Sequence, residues 1–236
     1  MSEILKINNL WGGYKEGVNI LRGISMEVQQ GEAVGIIGLN GSGKSTLGKA
    51  IMNMIPIRKG EIIFEGEDIT SLTTSQLAHR GISIMQQGGR VFPNLSVWDN
   101  LQLAAQGNNT HFSILNSQLA EVIPILQHPK KELHHVMADK ISGGQKHQLS
   151  LAMTLATNPR LVILDEPSAG LSPIAIDEMY AILHTIREDL GLTIILIEQN
   201  IAKAVEFCKS CIILKQGEMI GNSNSYMDIE KLMFNK

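Results

Sequence analysis

Two stretches of this sequence carry residues spaced for work on phosphate. Gly38-Leu39-Asn40-Gly41-Ser42-Gly43-Lys44-Ser45 matches G-x-x-x-x-G-K-[ST] and sits between the apolar run "AVGIIG" and the helical pattern "KSTLGKAIMNMI", the context that gives the motif weight. Glycines let successive backbone N–H groups turn toward one point at a helix N-terminus, where the dipole also favours an anion. Lys44 adds a cation for the β and γ phosphates, and the Ser45 hydroxyl suits Mg²⁺, a hard ion that keeps phosphate oxygens and water in its shell. The phosphate-binding set read here is Gly38, Asn40, Gly41, Ser42, Gly43, Lys44, Ser45 and Thr46.

A second stretch, "LVILDE", ends an apolar strand in two carboxylates. Ligands of open α/β sheets bind at the carboxyl ends of strands, so Asp165 and Glu166 fall where a metal-bound phosphate would lie. Asp165 can hold Mg²⁺ through water, and Glu166 can orient or deprotonate the water that attacks the γ-phosphate. Between the two stretches stands Ile141-Ser142-Gly143-Gly144-Gln145, followed by a helical pattern to about Thr157. A further apolar run, "TIILIEQN", breaks into Glu198, Gln199 and Asn200 without a turn signal.

The elements that must carry these residues alternate along the chain. Strand-like runs "LKINNLW", "NILRGISMEV" and "AVGIIG" lead into the glycine-rich loop, and "GEIIFEGEDI" after Pro56 reads as a hairpin. A short helix around Ser75–His79 precedes the strand "GISIMQQ". From about Ser96 to Ala138 the pattern turns helical, with "SVWDNLQLAAQ" and "SILNSQLAEVIPILQ" interrupted by Gly107 and Pro129, so an inserted helical subdomain is expected over about 88–154 of a single 1–236 domain. Strand and helix then alternate through "RLVILDE", a helix sharing Ile176, Tyr180, Leu183 and Leu190 on one face, "LTIILIE", another helix, and "CIILKQGEMI" read as one strand. "GNSNS" reads as a polar turn. This alternation implies an α/β fold with a mainly parallel sheet.

With 236 residues, 44% hydrophobic and 18% charged, the chain can bury a full core. Its formal net charge of -3 and lack of like-charge runs give no footprint for nucleic acid. The start, "MSEILKINNLW", lacks a basic and apolar leader pattern, and no apolar run approaches the roughly 18 residues of a membrane span, so a soluble intracellular protein is expected. Cys208 and Cys211 form a lone "CKSC" and are expected to be reduced and structural.

The order of these motifs resembles that of ABC transporter nucleotide-binding subunits, over essentially the whole chain. The resemblance implies a P-loop NTPase core with an antiparallel β subdomain and an inserted helical subdomain, working as an ATPase with ATP and Mg²⁺. In this family "ISGGQ" is the signature, and Ser142, Gly143, Gly144 and Gln145 would meet the ATP of a partner subunit in a head-to-tail dimer. Tyr14, after Gly12-Gly13, would stack on adenine, with Trp11 as the alternative and a strand-edge aromatic packed on the core as the bland reading. Gln87, with Gln86 as the alternative, would sense Mg²⁺ and the γ-phosphate, joining Ser45 and Asp165 as metal residues. The catalytic set becomes Glu166, Lys44 and Gln199, the last at the position usually held by a switch histidine. Gln can donate one hydrogen bond to the γ-phosphate but cannot become cationic.

Within the family, "QGGRVFPNLSVWDNL", "DEPSAGLSP" and "IEQN" resemble the LivF-type ATPases of branched-chain amino acid importers and their relatives for amides and urea. Ser172 stands where the family usually has Asp, Gln148 where it has Arg, and Ala152-Met153 where it has "AR". The resemblance implies a LivG-like partner ATPase carrying the histidine, or a homodimer, two transmembrane permease subunits and, indirectly, a periplasmic or extracellular solute-binding protein. It also implies a cytoplasmic place on the inner face of the membrane. Val91, Phe92, Leu95 and Trp98 can either receive a permease coupling helix or belong to the subdomain core. Other classes weighed are an ABC-type ATPase of a different transporter, one acting on DNA or the ribosome, and a small-molecule kinase or GTPase; the absence of coiled-coil insertions, of a second cassette and of "NKxD" argues against the last two.

Overall fold

A computed structural model of the chain describes residues 2–106, 119–127 and 135–234. In chain order these form β1 (Glu3–Gly12), β2 (Leu21–Gln29), β3 (Ala33–Ile37), α1 (Lys44–Ile51), β4 (Ile57–Phe64), β5 (Glu67–Asp68), α2 (Thr74–His79), β6 (Ile82–Met85), α3 (Val97–Ala105) and α4 (Pro124–Gln127). There follow α5 (Gly143–Leu155), β7 (Leu161–Asp165), α6 (Pro173–Leu190), β8 (Thr193–Glu198), α7 (Ile201–Phe207), β9 (Ser210–Lys215), β10 (Glu218–Ser223) and α8 (Tyr226–Phe234). The chain divides into two compact units, Met1–Leu77 with Leu192–Lys236, and Ala78–Gly191.

In the first unit an antiparallel sheet has the order β2-β1-β4-β5. Its strands alternate buried and exposed residues, as a sheet with one wet face should. The other strands run β10-β9-β3-β8. There β3 pairs in parallel with both β8 and β9, and every residue of β3 and β8 is buried. Such fully buried parallel strands explain why "AVGII" and "TIILI" read as unbroken apolar runs. Their register matches Ile37 with Glu198, so the loop after β3 and the polar end of β8 leave the sheet at one edge.

Residues 211–220, expected as a single strand, form a hairpin instead: β9 and β10 pair antiparallel around Gln216 and Gly217. Both turn residues have positive φ, 52° and 83°, as a tight two-residue turn between twisted strands demands. A glutamine in that conformation is uncommon, which hid the turn. The expected polar turn "GNSNS" is corrected too, because Gly221–Ser223 belong to β10.

In the second unit β6 and β7 pair in parallel, with Met85 opposite Leu164, so Asp165, the last residue of β7, and Gln87, two residues past β6, lie where paired strands end together. The proposed 88–154 subdomain falls inside this unit and holds α3, α4 and α5; of the helix expected over 113–127, only residues from 119 onward are described, and Gly107 and Pro129 lie outside. Along α6 the buried face is Met179, Tyr180, Ile182, Leu183 and Ile186, while Ile176 and Leu190 are half-buried. Cys208 and Cys211 are buried and not joined in a disulfide, and the Cys208 side chain, hydrogen-bonded to Cys211, lowers the Cys211 thiol pKa.

Candidate phosphate-binding and hydrolytic site

The first unit holds the glycine-rich loop. At Gly38 an added Cβ would lie 2.4 Å from both the Leu214 carbonyl and the Ser42 hydroxyl, so only glycine lets β3 pass into the loop this closely. Gly43, at φ 105°, is the N-cap of α1 and contributes no side-chain cap to its first turn. A helix start without a side-chain cap suits phosphate oxygens. Lys44, 4% exposed, folds back to donate to the Gly38 carbonyl at 2.8 Å and to the Leu39 carbonyl at 3.3 Å. A phosphate would draw the same ammonium by a stronger charge-assisted bond.

Sequence reasoning missed what holds this loop from behind. The Gly217 N–H donates to the Ser42 carbonyl at 2.9 Å, and the Gly217 carbonyl accepts from Arg22 at 2.8 Å, so the β9–β10 turn braces the loop against β2. A cavity of about 180 Å³ opens beside it, lined by Asn40, Gly41, Ser42 and the hairpin.

Tyr14 is half exposed, and the Lys49 ammonium of α1 lies 5.7 Å from its ring centre. Trp11 is engaged elsewhere: its Nε1 donates to Asn9 at 3.0 Å and Lys59 of β4 lies 5.9 Å from its ring. Of the two aromatics, Tyr14 is the exposed one and lies beside the helix that follows the phosphate loop. At the end of β8, the buried Glu198 carboxylate accepts from the backbone of Gln199 at 2.9 Å and Asn200 at 3.3 Å. Asn200 caps α7 by accepting from Lys203. Two of the three polar residues therefore build the turn, and the third, Gln199, is presented on the surface.

The second unit holds the acidic residues. Asp165 and Glu166 are 3% and 7% exposed. Glu166 has φ 49°, an uncommon conformation for a non-glycine residue that turns its carboxylate out of the strand direction. The Gln87 amide donates to the Glu166 carboxylate at 2.6 Å, a charge-assisted bond that brings together two residues expected at one site. Gln86 makes no such contact among the bonds described.

The signature is built as a capping box. Ser142 Oγ accepts from the Gln145 N–H at 3.2 Å, and Gln145 Oε1 accepts from the Ser142 N–H at 2.9 Å. Gln145 therefore serves the helix start, while Ser142 keeps its own O–H available to donate. Ser142 and Gly143 are exposed at this helix N-terminus, a second position suited to an anion. Two of the three departures find a local reason. Ser172 is the N-cap of α6, accepting from Ala175, and Gln148 accepts from the Ile125 N–H at 3.1 Å while buried. His147, which sequence reading passed over, donates from Nδ1 to the Pro167 carbonyl at 2.7 Å.

Comparison with known proteins closes the assignment. The sequence model described as "ABC transporter" matches residues 21–169. The chain is 32% identical over 208 residues, 88% of this chain and 87% of the relative, to the high-affinity branched-chain amino acid transport ATP-binding protein BraG of Pseudomonas aeruginosa. It is also 32% identical to the probable LivF of Archaeoglobus fulgidus, covering 97% and 96% of the two chains. The lipopolysaccharide export ATP-binding protein LptB of Escherichia coli K12 is equally similar, 32% over 92% and 89%. Among solved structures, the ADP conformation of an ATP-binding cassette of an ABC transporter superposes with a TM-score of 0.83 at 26% identity, covering 100% of this chain and 96% of that one. The chain belongs to the ABC transporter family, has the ABC ATPase fold, and is an ATP-binding and ATP-hydrolysing transporter subunit.

Proposed function

We propose that this subunit powers an importer for branched-chain amino acids or a related small polar solute such as an amide or urea. The observation that carries the reading is the joint resemblance of "DEPSAGLSP" and "IEQN" to LivF-type subunits, supported by the printed roles of BraG and LivF.

In the proposed cycle, Tyr14 stacks on adenine and the amides and ammonium of Gly38 to Thr46 hold the triphosphate. Bound Mg²⁺ would supply charge neutralisation at the β and γ phosphates, with Ser45, Gln87 and Asp165 arranging its shell. A hydroxyl, an amide and one carboxylate fit such an ion, which takes its other ligands from phosphate and water; among the described residues no cluster of three His, Cys, Asp or Glu competes for it. Glu166 orients and deprotonates the attacking water, and Gln199 donates to the γ-phosphate. Ser142, Gly143 and Gly144 bind the γ-phosphate held by a second ATPase subunit. Because Gln199 cannot carry a proton, a LivG-like partner with histidine is favoured over a homodimer.

Phe92, half exposed, and its neighbours between Gly88 and Gln106 would receive the permease, which keeps the subunit at the cytoplasmic face of the membrane. Among the described residues no helix is long and apolar enough to cross a membrane. The test is uptake of labelled leucine, acetamide and urea by cells lacking this gene, complemented with wild-type or Glu166→Gln protein. Loss of one of these uptakes, restored only by wild type, is expected. Unchanged uptake of all three with a defect in lipopolysaccharide export, the role printed for LptB, would contradict the importer reading.

A further inference from the structure

His147 sits between the two segments that carry Gln87 and Glu166. Its ring is 6% exposed on the second turn of α5, the helix that starts at the signature. On one side Nδ1 lies 2.7 Å from the Pro167 carbonyl, the residue after Glu166. A carbonyl only accepts, so Nδ1 carries the proton and the ring is held in one orientation. On the other side stands Gly89, two residues after Gln87, at φ 56°. A Cβ there would come within 2.6 Å of His147 Cδ2 and 3.0 Å of Cγ, so the glycine backbone rests directly against the imidazole. The Gln87–Glu166 hydrogen bond spans these same two segments at 2.6 Å.

We infer that His147 is a positioning residue for hydrolysis: its N–H anchors the turn after Glu166 while its ring seats Gly89, two residues after Gln87, fixing how the two side chains meet. The inference rests on the reading of Glu166 as the group that activates water. Glu166 itself takes the left-handed conformation, φ 49°, just past the end of β7, and the buried His147 N–H, donating to the Pro167 carbonyl, fixes the backbone on which that turn is built. Through the same ring, the helix that begins at Ser142 is tied to the carboxylate of its own chain. A displaced carboxylate costs rate and not affinity, because Glu166 is not among the groups that hold the triphosphate.

The test compares three variants with wild type and with Glu166→Gln, reading kcat, KM for Mg-ATP and Tm. His147→Leu keeps the bulk and removes the donor, whereas His147→Asn keeps an N–H near the position of Nδ1. For His147→Leu, kcat should fall on the order of 10-fold to 100-fold, the range for losing a group that orients a reactive one, with KM within about twofold. His147→Asn should recover kcat to within about threefold of wild type, since it restores the orienting bond. If His147→Leu does not fold, Gly89→Ala, which pushes the ring from its seat, should show the same selective loss of kcat. A His147→Leu or Gly89→Ala protein with wild-type kcat overturns the inference, as does equal loss in Leu and Asn variants, which would indicate packing alone. Full turnover by Glu166→Gln would instead defeat the underlying reading, a result separable from the others.

Discussion

Gln199 stands where the proposed hydrolytic site would usually carry a switch histidine. The structure leaves its side chain on the surface at the end of β8 while Glu198 and Asn200 take over the work of shaping the turn. A histidine here could hold a proton facing the γ-phosphate, which an amide cannot. The isolated protein should therefore hydrolyse ATP slowly, and Gln199→His should raise kcat by about 100-fold, the low end of what a positioned acid–base group contributes. Phosphate release at saturating Mg-ATP checks this, and an unchanged or lower rate counts against a γ-phosphate role for the position.

At the scale of elements, two small devices hold the second unit's helices in place. The capping box at Ser142 satisfies two orphan amides of α5, and Ser142→Ala should lower stability by about 1 kcal/mol, read as a lower midpoint in urea. Gln148 ties α4 to α5 through one buried bond, so Gln148→Leu should cost about 1–3 kcal/mol by leaving the Ile125 N–H unpaired. Turnover per folded molecule should survive the second change better than the first, because Ser142 is also proposed to bind the γ-phosphate held by a second ATPase subunit.

These devices also mark what sequence could not reveal. The phosphate loop, "LVILDE" and the signature were legible because each is a contiguous segment whose chemistry follows from local spacing. So were β3, β7 and β8, whose two-sided burial leaves unbroken apolar runs. His147 and Gln148 act through partners 20 and 23 residues away, and no local pattern announces such a contact. The β9–β10 turn stayed hidden because its first residue is a glutamine held at positive φ by the hairpin itself.

For the whole molecule, nucleotide binding should stabilise the fold by linkage. Mg-ATP at 100 times its Kd should add about 2.7 kcal/mol, seen as a rise in Tm, and Lys44→Ala should abolish most of that rise. Removing Mg²⁺ with EDTA should stop hydrolysis while leaving part of the ATP-induced shift, since the loop amides hold phosphate without the metal. The central claim is that one carboxylate, Glu166, drives water onto a phosphate that other residues hold. Its most direct test is phosphate release and ATP affinity measured side by side for wild type and Glu166→Gln. The account predicts a fall in kcat of at least about 100-fold with affinity unchanged. Wild-type turnover in the variant would contradict it.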